Sequence, residues 1–414
     1  MSDKGFNMTK SELLLPAGSL EVLKIAFLYG ADAVYIGGEV YSLRAKATNF
    51  SNEEMKEGIA FAHSLGKKVY VTANIFAHNG DIPGVEKYFA ELREIKPDAI
   101  LISDPGVFTV AKRVCPEIPI HISTQANNVN YETACFWHDL GAERIVTGRE
   151  LSLEELRTMR KKMPRDMEME TFVHGAMCIS YSGRCLLSNY FTGRDANRGA
   201  CTHPCRWKYV IMEETRPGEY LPVEENERGT YIFNSKDLCM VEHLPDLIEA
   251  GVDSLKVEGR MKTALYVATV ARTYRKAIDD YFTDPALYEK NLPWYTERIA
   301  ECTFRQFSTG FFYGKPTYES QVYDNNTYQR TYTYLGYVED VNAAGEALIH
   351  QRNKFSVGET IEVMKPNGDN IETEVVALYD EEGASVPSAP HPKQELRVGL
   401  TVKPDTYDIL RRKG

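Results

Sequence analysis

One phrase recurs four times in this chain: "GADAVYIGG" from Gly30, "KPDAILISD" from Lys96, "GAERIVTGR" from Gly141 and "GVDSLKVEGR" from Gly251. Each reads as a helix stop running into a buried strand. Glycine after a helix adopts the left-handed conformation that ends it, an acidic residue follows, and a short apolar, β-branched run suits a parallel strand covered on both faces. Four further runs carry the strand pattern without that preface: "ELLLPAG" (12–18), "KVYVTAN" (68–74), "PIHISTQA" (119–126) and "METFVHG" (169–175). Between strands lie segments such as "SLEVLKIAFLYG" and "EEMKEGIAFAHSLG", with apolar residues at helical spacing and Ser19 or Asn52 as the expected cap. Eight strands with intervening helices predict an α/β fold, a (β/α)8 TIM-like barrel. An open doubly wound sheet is the competing arrangement, although it usually has fewer strands.

The first seven strands begin about 26 residues apart, whereas the eighth begins near residue 255. The excess is expected as an insertion after strand seven, at about 176–250, in a βα loop over the barrel mouth where active sites are built. Beyond residue 300 the texture changes to short alternating runs such as "TYTYLGYVEDV" and "FSVGETIEVMKPNGDNIETEVVALYD". These predict a small β-barrel domain at 301–414, after a barrel domain at 1–300.

The insertion contains "GAMCISYSGRCLLSNYFTGRDANRGACTHPCRWKY", which holds four of the eight cysteines. The polar N-terminus shows no apolar leader, and no run of 18 apolar residues occurs, so no membrane association is expected and the chain is read as cytoplasmic. In a reducing compartment clustered thiols are better metal ligands than disulfides. Cys178, Cys185, Cys201 and Cys205 are separated by 6, 15 and 3 residues, with Gly175, Gly183, Gly193 and Gly199 allowing tight turns. Zinc favours short paired knuckles, and only Cys201 and Cys205 have that spacing; an iron–sulfur cluster tolerates wider separations. Four buried, unliganded cysteines are the plainer alternative. "CTHPCRWK" begins the Cys-x3-Cys-x2-Cys pattern of radical S-adenosylmethionine enzymes, but Lys208 stands at the third position. The isolated Cys115, Cys135, Cys239 and Cys302 read as small core residues.

"ETFVHGAMCISYSGRCLLS" (170–188) matches at every specified position the signature of the collagenase-like peptidase family, family U thirty-two. With "GRDANRGACTHPCRW", "GTYIFNSKDLCMVEHLP" and "SLKVEGRMKTALYVATVARTYRKAID", the chain resembles the prephenate-dependent tRNA uridine 5-hydroxylase branch of that family, over residues 12 to about 410. The resemblance implies oxygen-independent hydroxylation at C5 of the tRNA wobble uridine, with prephenate and a 4Fe-4S cluster held by Cys178, Cys185, Cys201 and Cys205. It also implies the anticodon loop as partner and makes a paralogous chain a candidate partner. Related branches act on a ribosomal RNA cytidine or on quinone precursors. A collagenase-like peptidase is the alternative the family name suggests, and a noncatalytic cluster-bearing accessory is a third. No His-Glu-x-x-His site or Gly-x-Ser-x-Gly elbow occurs.

A net charge of −11 argues against nucleic-acid binding by the bulk surface, so any RNA contact must be local. The insertion supplies Arg184, Arg194, Arg198 and Trp207 as candidate RNA contacts, together with Tyr181, Tyr190, Phe191, Arg206 and Lys208. The same cations would equally neutralise an anionic cluster. Prephenate is a dicarboxylate suited to bidentate guanidinium, so Arg149 and Arg260 at strand ends and Arg44 after strand two are candidate substrate ligands, with Gln125 and Asp104. Arg260 has an alternative partner in Glu258. Asn74, His174 and Glu258 are the candidate acid–base groups, against a hydrogen-bonded structural role for His174. Lys256 alternates with Glu258 along one strand and reads as half of a buried ion pair.

Overall fold

The structure is a computed structural model. It describes residues 10–43, 49–178, 180–207, 211–212, 220–221, 234–302, 304–315, 321–322, 331–366, 368 and 370–414. Arg44 lies outside the described residues.

Eight parallel strands close into a barrel: β1 (Glu12–Pro16), β2 (Ala33–Gly37), β3 (Lys68–Ala73), β4 (Ala99–Ile102), β5 (Ile120–Ile122), β6 (Arg144–Val146), β7 (Glu168–Gly175) and β8 (Ser254–Val257). Closure is explicit at Ser254, which is in register with both Glu170 of β7 and Glu12 of β1. Helices α1 (Leu20–Leu28), α2 (Asn52–Ser64), α3 (Ile82–Ile95), α4 (Pro105–Val114), α5 (Tyr131–Asp139) and α6 (Leu153–Lys162) follow the first six strands. Their starts are set by side-chain caps. Ser19 caps α1, while Ser51 and Ser152 form capping boxes with Glu54 and Glu155, so the cap of α2 stands one residue before the expected Asn52. The repeated stop also operates without glycine, because Lys96 itself takes φ 59° after α3.

The expected fifth strand ends early. After Ile122 the chain turns through a single 3-10 turn, Thr124–Ala126, capped by Ser123. The insertion after β7 contains the short helix α7 (Leu187–Thr192) and returns through strand Asp237–Cys239, which lies antiparallel to the end of β7. The barrel then resumes with α8 (Leu244–Glu249), β8 and the long α9 (Ala264–Thr283), followed by α10 (Pro285–Ile299).

Strand Phe307–Ser308 pairs with Asp237–Cys239, and Cys302 and Phe312 belong to the barrel's core. The barrel domain therefore extends past the boundary expected at residue 300, because the helical texture ends before the packing does. Strands β9 (Tyr332–Val341), β10 (Ala347–His350), β11 (Thr360–Met364), β12 (Asn370–Tyr379), β13 (Glu395–Leu400) and β14 (Ile409–Lys413) form a closed antiparallel barrel, ordered β9-β10-β13-β12-β11-β14. Its own core contains Leu335, Val338, Ile349, Val363, Leu378 and Val398. It docks on the outer helices: Tyr29 Oη donates to Met364 O at 2.6 Å, Arg272 Nη1 to Lys365 O at 3.0 Å, and the fully buried Arg411 pairs with Glu301 at 2.7 Å.

Candidate active site

The lower interior of the first barrel is charged. Arg144 of β6 reaches Glu12 at 2.7 Å, Glu168 at 2.6 Å and Glu170 at 3.0 Å, and Lys256 of β8 pairs with Glu170 at 2.5 Å. Burial would push the Glu12 carboxyl up, yet the Arg144 charge and hydrogen bonds from Arg144, Tyr70 and Ser254 hold it below its ordinary value. Lys256 thus forms the buried ion pair expected of it, with Glu170 across the β7–β8 pair.

Above this layer a cavity of about 60 Å3 opens at the C-terminal ends of the strands. Its lining includes Asn74, Gln125, Arg149, Glu258 and Arg260, with Lys256 at the level of the charged layer. Asn74 Nδ2 donates to Ser123 Oγ at 3.1 Å, which fixes the amide after β3. Arg149 Nη1 donates to Ala176 O at 3.0 Å, and its guanidinium lies 5.0 Å from the Phe172 ring centre. Arg260 Nη1 donates to Ser42 Oγ at 2.5 Å and to Thr72 Oγ1 at 2.9 Å. A Cβ at Gly37 would lie 2.0 Å from that nitrogen, so the guanidinium occupies space that only glycine leaves. Tyr35 Oη contacts Glu258 Oε2 at 3.4 Å.

Three expected roles change. Asp104 lines neither this cavity nor the adjoining one; its carboxylate accepts from Val107 N at 2.9 Å and caps α4. The Asp-Pro pair at Asp104 and Pro105 was itself a helix-start signal. His174 also lies outside both cavities, packed against the rings of Tyr266, Tyr274 and Phe307. Burial, with some help from the Lys262 charge, pushes it down to about 3, so it is neutral and unsuited to proton transfer. Register shifts between Lys256 and Val257, placing Val257 opposite His174. The extra residue is Val173 of β7, between Phe172 opposite Lys256 and His174 opposite Val257. Arg198, expected on RNA, instead pairs with Asp81 at 2.8 Å.

Across the shared residues Gln125, Arg149 and Glu258 lies a second cavity of about 200 Å3, and all four insertion cysteines, Cys178, Cys185, Cys201 and Cys205, line it. Its walls come from tight turns. Gly183 has φ 73°, and a Cβ there would meet Gln125 O at 2.5 Å. His203 takes the left-handed conformation at φ 56°, and its N–H donates to Cys201 Sγ at 3.4 Å. Among the described residues no three His, Cys, Asp or Glu side chains close on a single metal-ion position. A lone zinc ion would need its sulfurs about 2.3 Å from one point. Four thiols spread around a cavity suit the larger, many-cornered iron–sulfur cluster better, and donor chemistry and spacing fit such a group. Cys239 lies elsewhere, with Sγ 3.9 Å from Tyr274 Oη and burial pushing its thiol up to about 12.

The rim carries exposed apolar side chains. Tyr190 is 83% exposed, its ring 5.2 Å from that of Phe191, which in turn lies 6.2 Å from Trp207. Leu186 and Tyr181 are exposed beside them in sequence, Arg184 is exposed, and Arg194 is half-buried. No helix among the described residues is long and apolar enough to cross a membrane.

The sequence model of Peptidase family U32 matches residues 18–322, and that of the Peptidase family U32 C-terminal domain matches residues 330–411. The chain belongs to Peptidase family U32. Within family U32, it is similar to "tRNA hydroxylation protein P1" of Bacillus subtilis (strain 168), 41% identical over 404 residues that cover 97% of this chain and 95% of that protein. It is similar also to "tRNA hydroxylation protein P" of Escherichia coli (strain K12), 39% identical over 424 residues, covering 92% of each. A more distant relative is "23S rRNA 5-hydroxycytidine C2501 synthase" of Escherichia coli (strain K12), 34% identical over 305 residues, 73% of this chain and 45% of that protein. The family name mentions peptidases, whereas these three relatives are named for hydroxylation or hydroxylated RNA.

Proposed function

We propose that this chain is an iron–sulfur enzyme that hydroxylates C5 of the tRNA wobble uridine, using prephenate and no molecular oxygen. The observation that carries the reading is the shared wall: a four-thiol cavity and a cation-lined cavity at a barrel mouth meet at Gln125, Arg149 and Glu258. The full-length likeness to proteins named for tRNA hydroxylation supplies the substrate.

Cys178, Cys185, Cys201 and Cys205 would hold a 4Fe-4S cluster, which supplies one-electron chemistry when bound. The chain's own residues supply the rest. Arg149 and Arg260 offer planar donors for carboxylate oxygens, and Gln125 and Asn74 offer amides that orient a small ligand. Glu258 borders both cavities, so its carboxylate is placed to accept or return a proton at either. A base in an anticodon loop is flipped at low cost, and the exposed Tyr190, Phe191 and Trp207 offer stacking faces for it and its neighbours.

The test uses a strain that lacks every related hydroxylase and receives this chain alone. Mass spectrometry of digested tRNA is expected to show 5-hydroxyuridine or its derivatives only when the four cysteines and a prephenate supply are intact. Unhydroxylated tRNA from that strain, together with cleavage of denatured collagen by the purified chain, would overturn the reading in favour of the peptidase.

A further inference from the structure

The layers inside a (β/α)8 barrel are ordinarily filled by branched aliphatic side chains. Here the floor of the mouth cavity is a lysine. Lys256 is 3% exposed, its Nζ lies 2.5 Å from Glu170 Oε1, and the rings of Tyr35 and Phe172 stand 4.5 and 5.5 Å from it. Such a pair contributes little net stability, since desolvating both charges offsets their attraction and an apolar pair of similar size often does as well. Its presence at a cavity floor asks for another explanation.

The geometry supplies one. Glu170 is shared, with Oε1 on Lys256 and Oε2 on Arg144 at 3.0 Å, so a single carboxylate serves two cations. It holds the ammonium in place without occupying all three of its protons. The cavity lining above contains two further cations, Arg149 and Arg260, against Glu258 alone. At about 60 Å3 the cavity admits a carboxylate-sized group and little more, because one water needs only about 10–15 Å3 of such space.

We propose that Lys256 is the floor cation that receives one carboxylate of a small dicarboxylate ligand, and that it makes the site select dicarboxylates over monocarboxylates. This rests on the proposed function and adds to it the residue that reads the second carboxylate. Arg149, at the wall between the cavities, is then left for the first.

The test measures binding of prephenate and of the monocarboxylate phenylpyruvate to the anaerobically purified full-length chain by calorimetry. Wild type is expected to favour prephenate. Lys256→Met should weaken prephenate binding by about ten- to a hundredfold while phenylpyruvate changes less than about threefold, the loss of one charge-assisted contact. Because Lys256→Met leaves Glu170 buried with one cation fewer, the double variant Lys256→Met/Glu170→Leu, which removes the pair together, is measured beside it with a thermal melt. Variants that melt like wild type yet bind prephenate within threefold of it overturn the Lys256 assignment alone. Failure of wild type to bind prephenate overturns the proposed function as well.

Discussion

Arg198 grips Asp81 with both terminal guanidinium nitrogens, Nη1 to Oδ2 at 2.8 Å and Nη2 to Oδ1 at 3.2 Å. The pair joins the cysteine-bearing insertion to the loop that follows β3 and Asn74. Asn197 O reinforces it by accepting from Phe76 N at 3.2 Å, and Arg198 Nη1 also donates to Phe76 O at 3.3 Å.

Asp81→Asn is therefore expected to loosen the insertion rather than the barrel. Iron retention during anaerobic dialysis should fall, while the global melt shifts by no more than about 1 kcal/mol, the worth of a partly exposed pair. The Arg198 hydrogen bonds hold the Asp81 carboxyl below its ordinary value. The contribution is thus present at neutral pH and is lost only as pH falls through that depressed folded value. Iron retention in Asp81→Asn equal to wild type at pH 7 would count against this role.

Changing any one of Cys178, Cys185, Cys201 or Cys205 to Ser should remove most of about four iron and four sulfide per chain. Cys115→Ser should leave them. Iron and acid-labile sulfide assays read this directly. Loss of iron in Cys239→Ser, whose thiol packs on Tyr274, would mean that a different ligand set is used.

Arg149→Lys should keep the cluster and weaken prephenate about tenfold, since an ammonium cannot reproduce a two-pronged carboxylate contact. Arg260→Lys should weaken it as well and also lower stability, because Arg260 Nη1 bonds Ser42 and Thr72 inside the barrel. Binding isotherms and melts separate the two effects. Unchanged affinity in both returns these arginines to a structural role.

His174 should not appear in the pH dependence of turnover between pH 5 and 8. Its folded value of about 3 lies below the ordinary 6.5 of an unfolded histidine, so the unfolded chain binds the extra proton in between. Stability therefore rises with pH across that window and gains nothing further from His174 above it. A denaturant series on wild type and His174→Phe checks the sign: the variant should show a shallower slope there.

Alanine at Tyr190, Phe191 and Trp207 should weaken binding of an anticodon stem-loop by about 1–3 kcal/mol per lost stacking face and leave iron content unchanged. Fluorescence anisotropy measures it. Full RNA affinity in the triple variant would move the RNA to another face.

The barrel was legible because its signals are local: helix stop, acidic residue and apolar strand repeat at each copy, and Lys96 shows the stop acting without glycine. The gathering of Cys178, Cys185, Cys201 and Cys205 was legible from their density in one loop. Side-chain destinations were not. The contacts of Arg260 with Ser42 and Thr72 span 218 and 188 residues, and Arg198 meets Asp81 across 117. No window of sequence contains such pairs. The rings that enclose His174 come from distant segments, at Tyr266, Tyr274 and Phe307, whereas Asp104 could have been read correctly, as the cap before Pro105.

The strand Asp237–Cys239 places Leu238 opposite Gly175 and Cys239 opposite His174, so the insertion leaves the barrel and re-enters it at the same rung. A loop whose ends already touch transmits almost nothing of its length or content to the frame that carries it, since lengthening costs only a slowly growing closure entropy. The cysteine-bearing lobe is in effect a cartridge. Under the proposed function it is the part to exchange, grow or re-line for a different base or polymer, while the eight strands and their charged floor stay as they are.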